Sequence, residues 1–293
     1  MTDQAERLRQ LIRTREQRSP KKTGAKILTV TSGKGGVGKS NFTLNFALTL
    51  QARGYRVLIF DADIGLANLD VLMGISPKYT LYHLVRKEKT IWEIIHKGHN
   101  GLQFIAGGSG FTDLIRLTEE QVHEFTDQVA QLADQVDYIL FDTGAGLSKE
   151  TLNFILAAEE TIVITTPEPT SITDAYAIIK MVNSIKPGVA FRLVVNRVTN
   201  RHEGRETSER ISAVAKRFLD MTIPTLGFVS DDSNITRAVK RQVPFVIAYP
   251  NTAASKDIAE ITDRFLAGQQ WSNDPYPANS IKTFLHRLFQ FTK

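Results

Sequence analysis

The stretch ILTVTSGKGGVGKSNFTLNFAL, residues 27–48, decides the fold. It runs from a β-rich segment through glycines 33, 35, 36 and 38 into a helical pattern. Gly33–Ser40 satisfies G-x-x-x-x-G-K-[ST], and a strand before it with a helix after it is the setting that motif requires. The glycines free backbone N–H groups to close around phosphate at a helix N-terminus, whose partial positive charge favours anions. Gly35, Gly36, Val37, Gly38, Lys39, Ser40 and Asn41 are therefore the expected phosphate-binding residues. Lys39 is expected to reach the β- and γ-phosphates, and the Ser40 hydroxyl to ligate Mg²⁺. One lysine suffices for that task, yet the loop carries a second, Lys34.

Outward from the loop, β-rich runs alternate with helical segments: YRVLIFDAD, LQFIAGGSG, DYILFDTG, TIVITTPEP, AFRLVVNRV and TIPTLGFVSDD. Several are nearly continuous Val, Ile, Leu and Phe, as strands buried on both faces are. Crossovers long enough to hold a helix make these βαβ units. The spacing predicts an α/β fold with a mostly parallel sheet flanked by helices on both faces. Glycines and acids cluster just past the strands, where open α/β sheets bind ligands. Asp61 and Asp63 end one strand and Asp142 another, and Asn196 and Arg197 end a later one.

The 293 residues are 42% hydrophobic and 23% charged, enough for one large core and a polar surface. Apolar runs are strand-length, which excludes a transmembrane helix, and the charged N-terminus is not a secretory signal. No cysteine is present, which removes disulfides and thiolate metal sites and fits a reducing cytoplasm. The net charge of +5 is concentrated toward the chain ends, as for contact with an anionic surface or for a solvated terminus.

The two ends read as appended helices. Residues 3–18, DQAERLRQLIRTREQR, form a short helical pattern that SPKKTG breaks. After a polar, proline-containing linker, Ile281, Phe284, Leu285, Leu288 and Phe289 fall on one helical stripe with Lys282, His286 and Arg287 off it. A short basic amphipathic helix of this kind is a reversible interfacial anchor for anionic lipids, or else a helix packed on the core, or each in turn. The chain thus divides into 1–24, 25–270 and 271–293.

KGGVGKS matches the deviant form of the phosphate motif, so the chain resembles the MinD/ParA class of P-loop ATPases. The resemblance implies ATP with Mg²⁺, and a homodimer in which Lys34 reaches the partner's phosphates as a counterpart of an arginine finger. It implies that Asp63 orients the attacking water, that Asp61 lies near the metal, and that Asp142 holds Mg²⁺ through water. Gly144 and Gly146 become switch residues, Asn196 and Arg197 base contacts together with the loop at 228–232, and Glu168 in TTPEPTSITDAY a dimer contact.

Within that class DQAERLR, DADIGLANLDVLMG and DTGAGLS are similar to the FlhG family (also YlxH or FleN), which governs flagellar number and placement. The resemblance implies that Asp3, Gln4, Ala5, Leu8 and Arg9 stimulate an FlhF-type GTPase, with Gln4 suited to positioning a hydrolytic water. Flagellar switch-complex proteins are further implied partners. The implied location is cytoplasmic and reversibly peripheral on the inner face of the cell membrane. A MinD-type division-site regulator would share all but the N-terminal element. A ParA-like partition ATPase would bind DNA through RVTNRHEGRETSER and RAVKRQ, but has no need of the amphipathic tail, so DNA is a disfavoured partner. A metabolic P-loop kinase or reductase is disfavoured, since no cysteine exists to hold an iron–sulfur cluster.

Overall fold

A computed structural model describes residues 24–63, 68–107, 118–132, 135–269 and 280–290. The N-terminal element, including Asp3, Gln4, Ala5, Leu8 and Arg9, lies outside the described residues.

The phosphate loop sits between strand β1 (Lys26–Ser32), buried at every position, and helix α1 (Lys39–Ala52). The chain continues as β2 (Val57–Ala62), α2 (Leu69–Met73), α3 (Leu81–Val85), β3 (Ile95–Lys97), β4 (Gln103–Ile105) and α4 (Glu119–Ala130). Then follow β5 (Tyr138–Ala145), α5 (Lys149–Ala157), β6 (Glu160–Thr165), α6 (Pro169–Ile185), β7 (Phe191–Val198) and α7 (Arg201–Leu219). The last elements are β8 (Thr225–Ser230), α8 (Ser233–Lys240), α9 (Phe245–Ala248), α10 (Ala253–Gln269) and α11 (Ser280–Gln290).

The sheet runs β3-β4-β2-β5-β1-β6-β7-β8, parallel throughout except for the β3–β4 edge pair. The period-2 alternation sorts the core. On β1, β2 and β5, Leu28, Val30, Val57, Ile59, Tyr138 and Leu140 face α1 and α10, where Phe42, Phe46 and Phe265 wait. Their neighbours Ile27, Leu58, Phe60, Ile139 and Phe141 face the opposite layer of α4, α5 and α11. Helices α6 and α7 extend that second layer over β6 and β7. The parallel strands therefore all end on one edge, and that edge holds Lys34, Lys39, Asp61, Asp142, Glu168 and Asn196.

Local chemistry sets the helix ends. Pro169 opens α6 at a position where its missing N–H costs nothing. Ser148 and Asn200 cap α5 and α7 by accepting from the N–H of Thr151 and Glu203.

The C-terminal stripe forms the expected helix, but it is packed in the core and not presented to solvent. Ile281, Phe284, Leu285, Leu288 and Phe289 are all at most 9% exposed. Phe284 stacks on Phe141 with ring centroids 4.6 Å apart, and Phe289 meets Phe125 edge-on. Lys282 donates to Asp127 of α4 at 2.7 Å. Sequence periodicity finds such a stripe but not the surface that covers it, and here that surface is the groove between α4 and α5. Helix α11 is thus a member of the domain's second layer.

Candidate nucleotide site

The loop after β1 is pressed tight at both ends. A side chain on Gly33 would collide with the backbone of Asp174 in α6. Gly38 has φ 92, in the left-handed region, and a Cβ there would strike the amide of Asn196. Between them, a Cβ on Gly35 or Gly36 meets nothing within 4 Å, so the middle of the loop is open toward the strand edge. An open cradle with pinned ends is what a phosphate group needs.

Lys39 is 6% exposed, and its Nζ donates to Asp142 Oδ1 at 3.1 Å and lies 3.3 Å from Ser40 Oγ. The expected phosphate lysine and the expected metal acid thus face each other, 103 residues apart in sequence. Thr43, one turn into α1 and not singled out by the motif, also donates to Asp142 Oδ1, at 2.8 Å.

Asp61 stands opposite Asp142 in the β2–β5 register and is 1% exposed. Burial and the neighbouring Asp142 charge push its pKa up to about 7. Asp61, expected near the metal, turns its carboxylate to the backbone that follows β2. One oxygen accepts from the N–H groups of Asn68 and Leu69 at 3.1 and 3.2 Å, and the other from Asp63 N–H at 3.3 Å. Both oxygens are therefore given to the backbone, and Asp61 clasps the two ends of the loop that carries Asp63. Asp63 itself is half-buried beside Gly144, its pKa raised by burial. The β5 end is tied in turn, since Gly146 N–H donates to Ser32 C=O at 2.8 Å.

Lys34 is not part of this phosphate cradle. Its Nζ donates to Glu168 Oε2 at 2.7 Å and to Thr170 Oγ1 at 3.2 Å, on the exposed N-terminus of α6. The hydrogen bond and charge of Lys34, with Arg197 beyond, hold the Glu168 carboxyl below the usual range. Two residues expected to meet a second copy are thus paired to each other within one chain.

The residues expected to contact the base sit at the ends of β7 and β8. Asn196 donates from Nδ2 to the carbonyl of Val37 at 2.8 Å, bracing the phosphate loop. Arg197 has φ 57 at a break in the β7–β8 register, which turns it to the exposed side. Phe228 packs against Gly204 of α7, and Asp232 caps α8. The strand ends are where the sequence pattern puts them, but their partners lie across strands and leave no local signal.

Known proteins resemble this chain in sequence and in fold. A family model, ParA, described as the NUBPL iron-transfer P-loop NTPase, matches residues 24–266. The chain belongs to the ParA family. The flagellum site-determining protein YlxH of Helicobacter pylori is 37% identical over 99% of both chains. The antiactivator FleN of Pseudomonas aeruginosa is 34% identical over 90% of this chain and 93% of its own. The MinC:MinD cell division protein complex of Aquifex aeolicus matches at a TM-score of 0.69 and 25% identity, covering 83% of this chain and 96% of that one. As a ParA-family member resembling MinD in fold and FleN and YlxH in sequence, the protein is a MinD/ParA-class P-loop ATPase that hydrolyses ATP.

Proposed function

We propose that the protein is an ATP-operated, dimerising switch that sets the number and placement of flagella. The observation that carries this reading is likeness to YlxH along essentially the whole chain, in a sequence that opens with the DQAERLR element. FleN, named an antiactivator, adds a second flagellar relative.

Magnesium fits the donor set. Ser40 and Asp142 supply hard oxygens, and among the described residues no three His, Cys, Asp or Glu side chains surround a metal on their own. Such a site suits an ion that arrives with phosphate oxygens and keeps several waters. When bound, magnesium would offset charge on the transferring phosphate. Ser40 and Asp142 would hold it, while Lys39 leaves Asp142 for the phosphates. Asp63, carried on the loop that Asp61 clasps, orients the attacking water. Lys34, released from Glu168, meets the phosphates of a second copy and stabilises charge developing there.

The tail would convert dimerisation into membrane association. Among the described residues no helix is long and apolar enough to cross a membrane. Five large side chains leaving their groove give up roughly 10 kcal/mol of burial, and entering a lipid interface returns a similar amount. One anchor is therefore balanced between two places, and two anchors on a dimer favour the bilayer through avidity. The partners are an FlhF-type GTPase, flagellar switch proteins and anionic lipid.

The deciding experiment is addition of a peptide of residues 1–23 to an FlhF-type GTPase. Accelerated GTP hydrolysis, lost on Gln4→Ala, is the expected result. No acceleration would reject the flagellar partnership and favour a MinD-type division-site regulator.

A further inference from the structure

We propose that Thr43 is a positioning residue for Asp142, tying one oxygen of that carboxylate to the phosphate-loop helix and leaving the other free for magnesium. The inference rests on the magnesium reading above and adds a residue that the phosphate motif does not contain.

Thr43 is fully buried, and its hydroxyl has one proton and two acceptors in reach. They are the carbonyl of Lys39 at 3.1 Å and Asp142 Oδ1 at 2.8 Å. A helical threonine ordinarily returns its proton to the carbonyl four residues back. That carbonyl already receives the Thr43 N–H in the helix ladder. The shorter, charge-assisted bond to Asp142 therefore holds the proton. It joins α1 to β5, and so the phosphate loop to the strand that carries the switch glycines.

Oδ1 of Asp142 has two donors, Thr43 and Lys39, while Oδ2 has none among the described residues. Lys39 is the donor that leaves when phosphate arrives. Thr43 is then the group that keeps the carboxylate from rotating. Asp61, the adjacent acid, already accepts backbone N–H groups at each of its oxygens. The hydroxyl thus matters more with nucleotide bound than without it, and it acts through Asp142 alone.

The test uses the full-length chain, a fluorescent ADP analogue and a MgCl₂ titration, with melting temperature as the check on folding. Thr43→Val keeps the shape and removes the hydroxyl. The analogue should bind in EDTA as it does to the wild type, whereas the Mg²⁺ needed for half-maximal ATP hydrolysis should rise roughly tenfold, the scale for losing a hydrogen bond to a buried charge. Thr43→Ser should restore the wild-type Mg²⁺ requirement. Equal loss of binding with and without Mg²⁺ would mean a merely structural role and overturns the proposal, as does an unchanged requirement in folded Thr43→Val. If Thr43→Val does not fold, Thr43→Ala against Thr43→Ser decides between the same outcomes. A wild type indifferent to Mg²⁺ would overturn the magnesium reading and this proposal together, while a wild-type requirement that Thr43→Val leaves unchanged overturns this proposal alone.

Discussion

At the scale of single residues, the two lysines of the loop do different work because they face different carboxylates. Lys39 pairs with buried Asp142, and Lys34 with exposed Glu168. An exposed pair of this kind is screened by solvent and contributes little, so Glu168 restrains Lys34 without locking it. Lys34→Ala should keep nucleotide binding and lose ATP-dependent dimerisation; light scattering that still reports a dimer would exclude action across the interface. Asp63→Ala should bind ATP and dimerise while turnover falls by about a hundredfold or more, and wild-type turnover would remove Asp63 from the chemistry. A pH dependence follows from Asp61 and from Glu159, which burial likewise pushes up to about 7. The fold retains these protons up to about pH 7, whereas the unfolded chain releases them near pH 4. The folded state binds more protons in that window, so stability falls as pH rises through it. The melting temperature of nucleotide-free protein should drop between about pH 4.5 and about pH 7, and Asp61→Asn should flatten the slope. A slope that Asp61→Asn leaves unchanged would assign the effect to Glu159 or another group.

At the scale of elements, what is legible in the sequence is what depends on local pattern. Continuous apolar runs mark β1, β2, β5 and β6 as strands buried on both faces, and glycine spacing marks the turn into α1. Strand-end acids point to the right edge of the sheet. The partners of those acids are not legible, because Thr43–Asp142 and Asn196–Val37 join residues far apart in sequence. Position alone also does not reveal that Asp61 accepts backbone N–H groups of the residues after β2. Helix α11 shows the same limit: its stripe is evident, its groove is not. The tail and groove can be tested separately. Phe284→Glu puts a charge against Phe141 and Phe154, and should cost roughly 3–5 kcal/mol in urea unfolding and release the protein from liposomes. Phe125→Ser, on the groove side of the contact with Phe289, should loosen storage and so increase liposome binding. A decrease there would mean that the tail is a core helix and nothing more.

At the scale of the whole molecule, the site and the stored tail share one strand. Asp142 faces Lys39 and Thr43, and the residue before it, Phe141, carries the stack with Phe284. The strand therefore touches both the phosphate loop and the tail, and α5 connects its switch glycines to the groove wall at Phe154. Co-sedimentation with anionic vesicles should be strong with a non-hydrolysable ATP analogue, weak with ADP, and absent in Lys34→Ala. Vesicle binding independent of nucleotide would separate the tail from the switch.

The groove around Phe284 also bears on heat. The packed face of α11 is apolar, with Lys282 paired to Asp127 and the Arg287 charge acting on Glu159 at its margin. Burial of apolar surface weakens on cooling and carries a large heat-capacity change. A lipid interface would bury those same five side chains, so moving the helix from one to the other leaves that change nearly cancelled. On the proposed membrane reading, the partition between groove and bilayer would be nearly temperature-compensated. A cell using this helix would keep one setting in cold water and warm, and alter it only by assembling pairs.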